Sequence, residues 1–282
     1  MDATDYNILF PAKPQPLTLE QAARKTPPMQ ITDTEGVIDI PRMRHYRLQR
    51  VREQIRAFNY GAVVLLDPLS IRYATGVRNY ALFQTHILAG YLFVPAQGPV
   101  IYFDAEPGLL TGGQLETIDE TRADAIPLSY MLGSDRSDEW AGKWAAQMTG
   151  LVDQYCNGNR CLGVERAGTR ATLAFNDHNI ELCDAAGIMA NARKIKCPEE
   201  ILCMNQSIAV AEDGMARIRE HLYPGVTEIA LWGHLWQACI EGGGEWIEYR
   251  LLPSGDRTNP WQQEASSKII RAGDLVVFDC GM

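Results

Sequence analysis

Between Pro198 and Leu222 the sequence admits one regular conformation. Ile201, Met204, Ile208, Ala211, Met215, Ile218 and Leu222 recur in alternating steps of three and four residues, the spacing that lines one face of an α-helix. Pro198 falls in the first turn, where an absent N–H costs nothing. Glu199 and Glu200 come next, at the end where the helix dipole favours negative charge. Arg217, Arg219 and His221 occupy the last turns, and Pro224-Gly225 ends the run. One continuous helix is predicted. Thr227 can cap a second helix through about Glu241, buried by Leu231, Leu235, Trp236 and Cys239 and terminated by Gly242-Gly243-Gly244.

Upstream, helical and strand patterns alternate. Pro41 to Phe58 reads as a basic amphipathic helix, with Tyr46, Val51, Ile55 and Phe58 as its stripe. Gly61 to Asp67 is next, a buried strand, so an α/β pattern begins. Pro68 to Thr85, with Tyr73, Tyr80 and Phe83, reads as loop and short strand. Gly90–Val94 and Val100–Phe103 form a hairpin through Pro95 to Pro99. Trp140–Tyr155 is a predicted helix, Cys161–Val164 a strand and Thr169–Leu182 another helix. Composition changes near Gly187. The second half adds a strand over Glu245–Leu252 and a polar loop from Ser254 to Trp261. Before these elements, the first 39 or so residues are rich in Pro, Thr and Asp and read as an arm, either lying on the surface or strapping a partner subunit.

Charge and composition exclude several classes. A net charge of −9 argues against a binder of nucleic-acid phosphates, and makes the run Arg42, Arg44, Arg47, Arg50, Arg52 and Arg56 a solvated face. No apolar run approaches a membrane span, so a soluble globular protein is expected. Seven irregularly spaced cysteines without a C-x-x-C favour reduced thiols, and no secretory leader is visible. Both suit a cytoplasmic protein. His86 and His178 stand alone and read as ordinary polar contacts. No dinucleotide, phosphate-loop, zinc-helix or nucleophile-elbow motif occurs.

The stretch Lys268 to Met282 carries the clearest chemistry. Arg271 to Asp274 is turn material, and Leu275 to Phe278 reads as a short buried strand. Asp279 stands at its end. A carboxylate there needs a cation or several donors. Two readings are open, a metal ligand or a residue capping a turn or pairing with an arginine. No polar tail succeeds the apolar strand, so the chain reads as a piece of a longer protein, inactive alone.

Three motifs in order carry a resemblance. Arg193-Lys194-Ile195-Lys196 leading to Glu199-Glu200, Tyr223 to Glu228, and Gly273-Asp274 through Asp279-Cys280-Gly281 resemble the creatinase, prolidase and aminopeptidase P family. The resemblance implies an α/β creatinase-type N-terminal domain over 41–188, after the arm at 1–40. It implies an incomplete pita-bread α+β catalytic domain over 189–282. Gly243 to Leu252, Ser254 to Trp261 and Arg72-Tyr73-Ala74-Thr75 are similar to its dimethylsulfoniopropionate lyase branch, which releases acrylate and dimethyl sulfide. A prolidase-like or creatinase-like hydrolase, or a noncatalytic binding protein on the same fold, are the alternatives. The resemblance further implies a small-molecule substrate, a homodimer and two metal ions: iron first, with manganese, zinc or cobalt also fitting. Asp279 becomes the first metal ligand, and Trp261 either faces the sulfonium or packs as a loop aromatic. The chain departs from the peptidases in having no His in the loop at Pro260 to Gln263. It departs from the lyases in having Gly281 where they tend to carry Asp.

Overall fold

The computed structural model describes residues 38–78, 90–128 and 136–282. The arm up to residue 37, Tyr80, Phe83 and His86 lie outside the described residues. The chain divides into a unit over Asp39–Leu202 and a unit that contains Cys203–Met282.

The first unit begins with α1 (Ile40–Ala57), β1 (Ala62–Leu65) and α2 (Pro68–Thr75). It continues through β2 (Tyr91–Pro95), β3 (Ile101–Phe103), α3 (Glu106–Gly112), β4 (Glu120–Arg122) and α4 (Ser137–Tyr155). It closes with β5 (Cys161–Val164), α5 (Thr169–Leu173), β6 (Glu181–Asp184) and α6 (Ala186–Lys194). One mixed sheet has the order β4-β3-β2-β1-β5-β6. The β2 strand runs antiparallel to β1 and β3, while β1–β5, β5–β6 and β3–β4 are parallel. Val63 and Leu65 point into a core with Val51 and Ile55 of α1 and Ile188 and Met189 of α6. Ala62 and Val64 point the other way, onto Trp144, Met148 and Val152 of α4. A strand covered on both faces cannot alternate apolar with polar, hence the unbroken apolar run through β1.

Two elements differ from the sequence expectation. Pro68–Thr75 is helical rather than loop and strand. Asp67 Oδ1 accepts the Leu69 N–H at 3.1 Å, Pro68 fills the first turn, and Gly76 closes the helix at φ 91°. These start and stop signals outweigh the aromatic content. The helix expected over Thr169–Leu182 stops at Leu173, and its tail is strand β6. Asn179 takes a left-handed φ of 48°, and Arg160 Nε donates to its carbonyl at 2.7 Å, which turns the chain alongside β5. His178 makes an ordinary edge contact with Phe175.

The arginines of α1 are not simply solvated. Arg42 pairs with Glu199 at 3.2 Å, Arg44 with Glu116 at 3.2 Å, Arg47 with Glu200 at 2.8 Å and Arg50 with Glu53 at 2.8 Å. Arg52 and Arg56 donate to the carbonyls of Gly98 and Ala96. Acceptors within the unit therefore answer the basic run.

The second unit is built on α7 (Pro198–His221) and α8 (Glu228–Glu241). The predicted single helix is present, and the division between units falls inside it. Most of its apolar stripe is not its packed face, however. Ile201, Met204, Ile208, Met215 and Leu222 are exposed, Ile208 by 54%; of the stripe only Ile218 is buried, as are Val210 and Gly214 off it. A Cβ on Gly214 would come within 2.4 Å of Leu235 Cδ1, and one on Gly242 within 2.5 Å of Val210 Cγ2. Close approach on glycine selects the face, and hydrophobic periodicity cannot register it. On α8, Trp232 is buried and Trp236 is 38% exposed.

Glu245–Leu252 and Leu275–Phe278 are not regular strands. They make isolated antiparallel bridges, Leu251 with Glu264 and Asp279, and Ser254 with Val276. Pro253 has no N–H for a ladder, and Gly255 at φ 55° bends the chain into a 3₁₀ turn over Gly255–Thr258. Leu275 is 65% exposed, so this segment is not the buried strand expected. Among the described residues no helix is long and apolar enough to cross a membrane.

Candidate active site

The segments that carry Trp261 and Asp279 are tied to α8 through one side chain. Thr227 caps α8, its hydroxyl accepting the Ala230 N–H at 3.3 Å. The next residue, Glu228, is completely buried. Its Oε1 accepts the Ser254 N–H at 2.7 Å and the Ser254 hydroxyl at 2.8 Å. Its Oε2 accepts the Ser266 N–H at 3.0 Å, the Ser266 hydroxyl at 2.7 Å, and a guanidinium N–H of Arg257. Burial pushes the carboxyl up, but the hydroxyl and backbone donors of Ser266 and Ser254 together outweigh it. The group titrates below the ordinary glutamate range.

A second layer extends this network. Lys268 Nζ donates to Ser254 Oγ at 3.0 Å and to Asp274 Oδ2 at 2.8 Å, and the Arg271 N–H reaches Asp274 Oδ2 at 3.0 Å. Gly255 lies so close to Asp274 that a Cβ there would meet Oδ1 at 2.6 Å. Loop 254–258 and segment 264–274 are thereby held to the start of α8. The sequence offers Thr227-Glu228 and Ser254 to Arg257 only as fragments of motifs. Their convergence is visible in space alone.

Asp279 lies beyond that scaffold. Its N–H donates to Leu251 O at 3.0 Å, which fixes the backbone. Its side chain is exposed and, among the described residues, takes part in no hydrogen bond or ion pair. Among the described residues it caps no turn and pairs with no arginine. Across the chain from Gly281, Glu248 donates its N–H to Gly281 O at 2.8 Å. A Cβ at Gly281 would lie 3.2 Å from Glu248 Cβ, so a larger residue there would push Glu248 aside. Glu248 Oε2 itself accepts from Trp246 Nε1 at 3.1 Å.

Trp261 lies just after the cis Asn259–Pro260 bond and is 44% exposed. Its indole has no ring or cation contact among the described residues, and no such contact joins it to Asp279. A two-metal centre needs several hard oxygen or imidazole donors converging on one point. Asp279 supplies one carboxylate, and among the described residues no group of three or more donors includes it. These residues alone do not make that centre.

Two family profiles match the chain. The Creatinase/Prolidase N-terminal domain matches residues 47–195, and Metallopeptidase family M24 matches residues 202–282. A dimethylsulfoniopropionate lyase DddP of Roseovarius nubinhibens is 34% identical over 248 residues, covering 86% of this chain and 55% of the relative. The protein of the same name from Roseobacter denitrificans is 30% identical over 246 residues, with the same coverage. The chain thus spans about half the length of the curated relatives it matches. Among solved structures, an Xaa-Pro dipeptidase from Bacillus anthracis superposes with a TM-score of 0.63 at 18% identity, covering 83% of this chain and 59% of that one. A zinc-substituted aminopeptidase P from E. coli superposes with a TM-score of 0.59 at 15% identity, covering 86% and 59%. These structural likenesses establish the pita-bread fold.

Proposed function

The chain belongs to the family that joins a Creatinase/Prolidase N-terminal domain to a metallopeptidase M24 domain, and from that premise we propose a metal-dependent lyase acting on dimethylsulfoniopropionate or a close sulfonium zwitterion. The observation that carries the reading is the 34% identity to a dimethylsulfoniopropionate lyase across both domains. The reaction is an elimination. A base takes the proton next to the carboxylate, its electron pair forms the double bond of acrylate, and the carbon–sulfur pair leaves with dimethyl sulfide. Family membership implies divalent metal ions. Our reading makes them two, with iron ahead of manganese, zinc or cobalt, and gives Asp279 to one of them. A free, exposed, hard carboxylate suits that role. Trp261 presents an exposed indole, whose face attracts a sulfonium by the cation–π effect. Among the described residues no group of three or more donors includes Asp279, so we expect no turnover from these 282 residues alone.

Hydrolysis of an Xaa-Pro dipeptide is the second reading. Gly281 favours it, as it restores the family's general Asp-x-Gly frame. A noncatalytic binding protein on this fold is the third. A homodimer and a cytoplasmic setting complete the proposal, the latter supported by seven cysteines that form no disulfide among the described residues. The test is an assay of the metal-loaded complete gene product on dimethylsulfoniopropionate and on an Xaa-Pro dipeptide in parallel. Release of dimethyl sulfide is expected. Dipeptide cleavage without sulfide release would make it a hydrolase, and inactivity on both would favour the binding protein.

A further inference from the structure

Strands β5 and β6 bring a second donor set together, of different chemistry from Asp279. Their parallel register places Cys161 opposite Glu181 and Gly163 opposite Cys183. Residues two apart on a strand share a face, so Cys161, Glu181 and Cys183 all emerge on one side of the sheet. The two sulfur atoms stand 3.1 Å apart as free thiols. One carboxylate oxygen of Glu181 joins them, and the three donor atoms lie within 4.8 Å of one another. This is the only such convergence of three donors among the described residues.

The surroundings leave the site open on one side and closed on the other. The β6 strand is one of the two edge strands of the sheet. Glu181 is exposed, and its carboxylate has no hydrogen bond or ion pair among the described residues, so nothing competes for it. The ring of Tyr60 closes the inner side, so near Gly163 that a Cβ there would meet it at 2.9 Å. Both cysteines are half-buried. Burial, then the neighbouring Cys183 thiol, pushes the Cys161 thiol up to about 12, so that sulfur carries a proton until a cation displaces it.

We propose that Cys161, Cys183 and Glu181 form a binding site for one thiophilic divalent cation of the zinc class, with solvent as the fourth ligand. Zinc–sulfur bonds of about 2.3 Å at a tetrahedral angle separate two thiolates by about 3.8 Å, so small side-chain rotations open the present pair far enough. The two thiol protons leave to solvent, and two thiolates and a carboxylate then face the double positive charge. Sulfur donors select a soft or borderline ion, whereas a carboxylate site such as Asp279 selects a hard one.

The probe is Cd²⁺, whose bonds to thiolate absorb in the ultraviolet. Titrating the reduced chain should give a thiolate-to-metal band that saturates at one ion per chain. Cys161→Ser and Cys183→Ser should each lose that band. Glu181→Gln, at an exposed position that does not endanger folding, should keep the band and bind more weakly. Cys203→Ser and Cys280→Ser should titrate as the parent does. Far-ultraviolet circular dichroism checks that each variant is folded, and alanine replaces serine where it is not. A parent without the band, a band that survives both serine variants, or a Glu181→Gln variant indistinguishable from the parent would overturn the proposal. The last result would leave a bare thiol pair.

Discussion

The carboxylate of Glu228 accepts both the backbone N–H and the hydroxyl of Ser254, 26 residues further on, at 2.7 and 2.8 Å. Ser266, 38 residues on, and Arg257 complete its partners. Glu228→Ala strands two N–H groups, two hydroxyls and a guanidinium in a buried place. The expected loss is about 3–5 kcal/mol, read by urea unfolding. Glu228→Gln keeps the shape and one acceptor oxygen but turns the other into an NH2 donor, and should lose less, about 1–3 kcal/mol.

The same residue predicts a pH dependence. The folded Glu228 carboxyl titrates below its unfolded value. Its stabilising contribution is therefore present above the ordinary glutamate range, and is lost as pH falls through the lower folded value. Melting temperature measured down the acid limb should fall more steeply for the parent than for Glu228→Gln. Parallel limbs would show that Glu228 is not the titrating group.

Tyr73 packs against two guanidinium groups. The guanidinium carbons of Arg47 and Arg193 lie 5.2 and 5.5 Å from its ring centre, and its hydroxyl donates to Ala192 O at 2.9 Å. Tyr73→Phe leaves that buried carbonyl unanswered and should cost about 1 kcal/mol, and Tyr73→Ala about 3–5 kcal/mol. Chemical denaturation of the two variants decides this. Equal, small losses would mean that the ring and its cations contribute little.

Trp261 is exposed, so Trp261→Ala should leave the melting temperature nearly unchanged. If its face receives the sulfonium, KM for dimethylsulfoniopropionate should rise in the complete gene product, by an amount worth about 0.5–2 kcal/mol. Trp261→Phe should recover part of that loss. An unchanged KM would make Trp261 a loop aromatic.

The legible parts of this fold are those fixed locally. Pro198, the two glutamates after it and Pro224-Gly225 delimit α7 without any knowledge of its neighbours, and Cys161–Val164 reads as a strand from its own residues. The packed face of α7 is not legible in this way. Gly214 and Gly242 set it by letting Leu235 and Val210 approach closely, and a glycine leaves no trace in a hydrophobic pattern. The short helix α2 is announced by Asp67-Pro68 and Gly76, signals that its aromatic residues conceal. At the candidate site, Asp279 can be nominated from its place after an apolar run. The partners of Glu228 and the pairing of Cys161 with Cys183 cannot, because loop closure and strand register bring them together.

Metal content is the most direct test of the claim that Asp279 serves a metal centre. The complete gene product is prepared as parent, Asp279→Ala and Asp279→Asn, and bound metal per chain is measured alongside the melting temperature. Asp279 has no side-chain partner among the described residues, so both variants should fold with stability within about 0.5 kcal/mol of the parent in their metal-free forms. Both should lose bound metal, since a neutral amide is a poor ligand for a hard cation. Metal retained at the parent's stoichiometry, together with a lowered melting temperature, would contradict the account and make Asp279 a structural residue.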